Sequence, residues 1–460
     1  MARLKICLLI VAVAVVWHVA LIANPGFYNH DELQRADDLK SMGLAEYVKT
    51  YAQIKPGECF ETPVRPVSFL VQGALSYPVY VAPYLTHLGS VLMHAAACCL
   101  LFFMLARMET TREAALPAAL LFAISPLATF ATGWAAALMD RLYVSFGLGA
   151  GWVAVTSERR PAARTAAGIF ALTVLALFSK ETAVVLPAAA LLLAWHGWAN
   201  RAAWFSRSRA AAVVAGTLAP VAAYLAFRWP ALEASVSGSA SAPHYALSAV
   251  GSISRIEIYL AYPFLRNLTD AGGAGLMPVA YLAFGILAHV VLVWSLNAVY
   301  GRRAAALYLA CYIVPLTPIL FIAGIGSHYL YASGLALSSA LALLLVHAWK
   351  EKKRLMQCLL VLLVLVLASH SQRNQMYIYS IGRCMNRAMT SLEAKHLTMG
   401  RPARIRIDAD KGAPVHVLHR FTTGRDRVGE SAPVRFEVTQ DPSRPLDAST
   451  VRFSTGCLCY

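Results

Sequence analysis

Five short polar groups have the residue types to do chemistry, and each sits beside an apolar run. The first is Asn29-His30-Asp31-Glu32. Adjacent carboxylates can supply a general base or bind a cation; the same residues also read as an acidic helix start in a solvated loop. The second is Arg65-Pro66, followed by His87 and His94. The two histidines are about two helical turns apart and share one face of a helix. A histidine inside an apolar run is a functional candidate, and the plainer reading is a ring bonded to a nearby backbone carbonyl. The third is Asp140-Arg141, after Trp134. It is either a local ion pair or a means of orienting a phosphate through Arg141. The fourth, Ser179-Lys180-Glu181, is wedged between two apolar runs with almost no loop. Charges are not left facing lipid, so this pair belongs at the membrane surface or in a cavity. The fifth is Ser327-His328-Tyr329-Leu330-Tyr331, whose tyrosines also read as interfacial anchors. Arg228, Arg255 and Arg266 add positive charge to the same face.

The elements that must position these groups are membrane helices. The chain has 460 residues, of which 58% are hydrophobic and only 14% charged, whereas soluble domains are about a quarter charged. Apolar runs cover 6–23, 85–106, 114–132, 142–156, 166–178, 182–198, 210–227, 279–299, 304–325, 332–348 and 355–368. At about 20 residues per span they predict roughly eleven helices. The run at 6–23 follows Arg3 and Lys5 and lacks a small-residue cleavage site, so it is read as a retained helix with a cytoplasmic N-terminus. Basic residues then fall in alternate loops: Arg107 and Arg112; Arg159, Arg160 and Arg164; Arg201, Arg207 and Arg209; Arg302 and Arg303; and Lys350 to Arg354. This alternation puts all five polar groups on the opposite, extracytoplasmic side.

The formal charge of +16 follows from those loops and their attraction to anionic lipid. No basic face on a soluble module suggests a nucleic-acid partner. The domain reading is a membrane domain over 1–368, including a first outer loop at 24–83, and an extracytoplasmic tail over 369–460. A helix is expected at 378–397. Alternating stretches at 403–408, 415–421, 434–438 and 451–453 suggest a small β-rich domain packed on the membrane part. Among the nine cysteines, Cys59, Cys384, Cys457 and Cys459 fall outside the expected spans, where an oxidising compartment allows a disulfide of unassigned pairing. Cys457 and Cys459 lack the partner residues of a metal site.

Acids at one point with several cations around them suit a lipid phosphate carrying a reactive sugar. Cations hold the phosphate as a leaving group, and a carboxylate takes the proton of an attacking hydroxyl. No Walker A or Rossmann glycine pattern is present. In this order the motifs resemble the GT-C superfamily of membrane glycosyltransferases. The likeness is to the protein and transmembrane O-mannosyltransferase branches and, more distantly, to the lipid A aminoarabinose transferase. It covers most of the first 350 residues. It rests on the acidic motif at Asp31-Glu32, on Arg65-Pro66 with His87 and His94, and on Ser125-Pro126 with Trp134 and Asp140-Arg141. Ser179-Lys180-Glu181 with Pro187, then Tyr259 to Pro263, and the stretch from His328 complete it.

The resemblance implies an inverting hexosyl or pentosyl transferase using a polyprenyl-phosphate sugar in a bacterial inner membrane, with its active site and C-terminus periplasmic. Asp31 would be the general base and Glu32 the second choice. Arg65, His87, His94, Asp140, Arg141, Lys180, Glu181, Arg255, His328 and Tyr329 would line the substrate and phosphate site. No cofactor is required, no metal ligand set is assigned, and a divalent metal is left open. The expected partners are the lipid-linked donor, a hydroxyl acceptor in the envelope and membrane lipids. The chain departs from its relatives in carrying His328 where they often have arginine, in the order at Asp140-Arg141, and in a tail without helical repeats or a trefoil, so the acceptor stays open. The alternatives are a transporter or flippase of a lipid-linked glycan, which would call for paired broken helices at the bilayer midplane, and a non-catalytic scaffold presenting the tail.

Overall fold

A computed structural model describes residues 2–52, 64–79, 81–236, 252–264, 279–322, 325–398, 404–409, 435–439 and 450–453. The chain starts with α1 (Ala2–Trp17) and α2 (Val19–Ile22), so the first apolar run is interrupted at His18. The expected outer loop is largely helical: α3 (His30–Ala52) breaks at Gly43, whose φ of 75° suits glycine, and α4 (Pro66–Ser76) begins behind Arg65 with proline in its first turn.

The bundle follows with α5 (Pro83–Arg107), α6 (Ala115–Ala123), α7 (Pro126–Gly133), α8 (Leu138–Val155), α9 (Ala162–Leu177) and α10 (Leu186–Ala199). Then come α11 (Arg207–Val236), α12 (Ser252–Ala261), α13 (Val279–Tyr300), α14 (Arg302–Ile313), α15 (Tyr331–Lys350) and α16 (Arg354–Thr398). Helix α6 packs between α1, α5 and α15. Its Ala115, Ala118, Ala119 and Ala123 are fully buried with Phe122. Small residues let backbones approach closely where lipid offers no hydrophobic drive for helix association. Large apolar side chains point outward instead, among them Leu287 and Trp294 on α13 and Leu355 and Leu362 on α16.

Six helices among the described residues are long and apolar enough to cross a membrane, or seven if α6 and α7 together count as one bent span. The chain is therefore a mainly α-helical membrane protein, but the expectation of roughly eleven spans is not met. Local breaks explain most of the shortfall. Pro126 cannot donate to the Phe122 carbonyl and its ring crowds that turn; Ser125 accepts from the Leu127 N–H (3.2 Å) to start the new helix, and α6 and α7 meet at 53°. Helix α9 is too short, and α14 ends in 3-10 turns around Pro315 and Pro318.

The tail differs from expectation too. Helix α16 continues through the proposed boundary at 368/369 to Thr398. At about 1.5 Å per residue it is about 68 Å long, more than twice the ~30 Å hydrocarbon core. The apolar run stops near Ala368 because the next turns face the bundle with polar groups: Ser371, Asn374 and Gln375 are fully buried. Beyond it, β1 (Arg404–Ala409), β2 (Arg435–Thr439) and β3 (Thr450–Phe453) form a parallel sheet in the order β2-β1-β3, with Ile405 opposite Phe436 and Ile407 opposite both Val438 and Val451. The helix expected at 378–397 is present as the end of α16, but a β-rich domain filling 369–460 is not shown: beyond the helix only the three short strands lie among the described residues, and the stretch 415–421 lies outside them.

Candidate functional site

Three chain reversals gather at the end of the bundle away from the basic loops. Helix α8 starts there with Asp140, α9 ends there, Lys180-Glu181 turns the chain into α10, and the 3-10 turn Ser327–Leu330 leads into α15. Two ion pairs tie these reversals together. Lys180 Nζ meets Asp140 Oδ1 at 2.5 Å, with the two side chains only 4% and 1% exposed. Arg65, just before α4, grips Glu181 with Nε at 2.7 and 3.0 Å and Nη2 at 2.6 Å. Its Nη1 lies 2.8 Å from the Met139 sulfur.

Aromatic rings wall the pairs. Lys180 Nζ stands 4.6 Å over the Tyr329 ring, a cation–π arrangement. The His328 ring is 4.1 Å from that of Tyr329 and meets Trp134 edge-on at 5.0 Å. Trp134 occupies the extended corner between α7 and α8. Asp140, Lys180, Glu181, Arg65, His328 and Tyr329 come together here.

The acidic motif joins the site through that corner. Glu32 is fully buried and accepts from the Tyr28 N–H (3.0 Å) and the Ala135 N–H (2.6 Å). Burial pushes its carboxyl up to about 8, against the pull of those two donors and with a smaller push from Asp31. Glu32 therefore serves as a staple between the start of α3 and the Trp134 corner. Asp31 is only partly buried; Asn29 Nδ2 donates to its Oδ2 (2.9 Å), and Gln72 Nε2 to its backbone carbonyl (3.3 Å). Of the two acids, Asp31 has the accessible carboxylate.

Four expected site residues are used elsewhere. Arg141 is fully buried and donates to the Ala131 and Ala135 carbonyls and to Ser90 Oγ. Its bond to Ala131 satisfies a carbonyl in the last turn of α7, where helical N–H partners run out. His87 bonds the Gly26 carbonyl (2.8 Å), and His94 bonds Tyr331 Oη (2.8 Å) inside a cluster of His18, Phe122 and Tyr331. Both follow the plainer reading of a histidine satisfied in the core. Arg255 on α12 donates to the Leu320 carbonyl. Arg228 is buried on α11, and Arg266 lies outside the described residues. Cys384 is buried on α16, while Cys59, Cys457 and Cys459 also lie outside them. Among the described residues no three His, Cys, Asp or Glu side chains converge as a metal site.

Sequence reasoning did not single out Gln72, Met139 or the Ala135 N–H as parts of the site, and it named Trp134 only as a motif residue ahead of Asp140-Arg141. Trp134 had a signal, since it falls at the break between two apolar helices; the others have none short of the fold. A separate cavity lies away from this site. It lies between α5, α8, α10, α14 and α15, and none of Asp31, Arg65, Lys180 or His328 lines it. Comparison with family models and with curated proteins found no match to this chain.

Proposed function

We propose that the protein is an inverting glycosyltransferase that moves a sugar from a polyprenyl-phosphate donor to a hydroxyl acceptor at the extracytoplasmic face of a bacterial inner membrane. On this reading the fold is a GT-C-like variant with fewer full spans than eleven, a cytoplasmic N-terminus and a periplasmic tail. The observation that carries it is that Glu32, next to the accessible Asp31, is bonded to the Ala135 N–H at the Trp134 corner, whose ring meets His328 beside Tyr329 and the Lys180–Asp140 pair.

The chemistry balances without a cofactor. The donor phosphate sits against Lys180 and Arg65, whose Asp140 and Glu181 partners hold them in position without a change in net charge. Asp31 takes the proton of the acceptor hydroxyl as its oxygen bonds to the anomeric carbon. The bond from that carbon to the phosphate oxygen breaks, and the electron pair leaves with polyprenyl phosphate, which the cations stabilise. Trp134, His328 and Tyr329 give the sugar a stacking wall.

The test is transfer of label from a panel of radiolabelled polyprenyl-phosphate sugars to envelope extract by purified wild type, Asp31→Asn and Glu32→Gln. Loss of a general base costs about 10²–10⁴-fold, so Asp31→Asn folds but is nearly inactive, while Glu32→Gln keeps measurable transfer if its corner still packs. Full activity in Asp31→Asn overturns the assignment of the base.

A further inference from the structure

The large cavity between α5, α8, α10, α14 and α15 has a volume of about 580 Å³. That is within the range of about 300–1,000 Å³ typical of pockets that enclose a ligand. Its walls are almost wholly aliphatic and aromatic, and its polar groups are grouped mostly at one end: Thr110, His196, Asn200 and Arg303. This is the end where the basic loops meet, because Arg303 Nη1 donates to the Ala199 carbonyl (3.4 Å) and Thr110 Oγ1 lies 3.1 Å from His196 Nε2. Arg303 is exposed, and that one described bond uses a single N–H of the five a guanidinium carries.

The length is informative. Along α10 the lining runs from Leu186 to Asn200, about 21 Å at ~1.5 Å per residue. One leaflet contributes about half of the ~30 Å hydrocarbon core. The cavity therefore starts at the polar surface of the basic-loop side and ends, among Tyr143 and Val185, past the depth of one leaflet. Its far end has no cation in its lining, so a phosphate held by Lys180 is not what it is built to seat.

We propose that this cavity binds one anionic glycerophospholipid of the leaflet on the basic-loop side, with an acyl chain between the helices and its phosphate on Arg303. The fit is of charge and of shape. Anionic lipids gather at a basic membrane face, and the guanidinium matches a phosphate with two parallel donors. An apolar slot between helices that do not close on one another is filled by a chain that lipid supplies. The site is separate from the proposed transfer site and does not depend on that reading.

The test uses the full-length protein in a neutral detergent, with phosphatidylglycerol or phosphatidylcholine of identical acyl chains as probes, and reads bound lipid by native mass spectrometry beside thermal unfolding. Wild type retains one phosphatidylglycerol and is stabilised by it over phosphatidylcholine. Arg303→Gln lowers phosphatidylglycerol affinity by about tenfold and abolishes the preference between the two lipids. Ala189→Trp, at an exposed position of the lining, fills the slot and removes retention of both. If Ala189→Trp fails to fold, Ser339→Phe on the α15 wall gives the same reading. Equal binding of the two lipids by wild type, or unchanged phosphatidylglycerol retention in folded slot-filling variants, overturns the proposal.

Discussion

Replacing Lys180 by methionine tests whether buried charge holds the candidate site together. The substitution keeps an unbranched side chain and removes the ammonium. Asp140 is 1% exposed, its Oδ2 has no partner among the described residues, and the change takes the only described partner of its Oδ1. Leaving one charge of a buried pair alone costs about 3–5 kcal/mol. Asp140→Asn strands the ammonium instead. The Tyr329 ring beneath it, at 4.6 Å, offsets about 0.5–2 kcal/mol, so this loss is smaller. The double variant removes both charges and is expected within about 2 kcal/mol of wild type, because a buried pair replaced whole is often near neutral. Thermal unfolding in detergent, followed by exposure of the buried thiols Cys98 and Cys384 to a reactive dye, gives all four corners of the cycle. A Lys180→Met protein that melts with wild type, or a double variant no better than the worse single, refutes the buried pair.

Glu32 gives a pH dependence of known sign. Its carboxyl is raised from 4.5 to about 8 in the folded protein, so between those values the unfolded chain has lost a proton that the folded chain keeps. Stability present below the lower value is lost toward pH 8, at up to about 1.4 kcal/mol per pH unit; Glu32→Gln should flatten that slope in thermal unfolding, and an unchanged slope contradicts the assignment. Arg65→Lys gives up the multi-point grip on Glu181 and is expected to lower stability by about 1–2 kcal/mol, read by the same melt; no change would mean the pair does not form. A Cβ on Gly26 would overlap the Gly382 carbonyl, so Gly26→Ala should push α16 from the segment between α2 and α3 and cost about 1–3 kcal/mol; a neutral substitution shows that the approach is looser.

The membrane class was legible in the long apolar runs. The span number was not, because hydropathy averages over Ser125-Pro126, where a proline splits one run in two, and stops at Ala368, where Ser371, Asn374 and Gln375 turn polar side chains into the bundle. The site divides in a similar way. Lys180 and Glu181 were readable because charge between two apolar runs needs a partner, and Asp140 and Arg65 proved to be those partners. Local sequence could not separate Asp31 from Glu32, since both carboxylates can cap or catalyse; burial and the Ala135 N–H separate them. Arg141, His87 and His94 carry residue types suited to phosphate, and only the fold shows them bonded to Ala131, Gly26 and Tyr331.

The central claim is that sugar leaves its lipid carrier at this site. Purified protein in sealed liposomes that hold labelled polyprenyl-phosphate sugar and an envelope acceptor extract decides it in one preparation. The account predicts label on the acceptor, free polyprenyl phosphate in equal amount, and neither with Asp31→Asn. Intact labelled donor crossing the bilayer with no label on any acceptor would contradict it and favour a transporter.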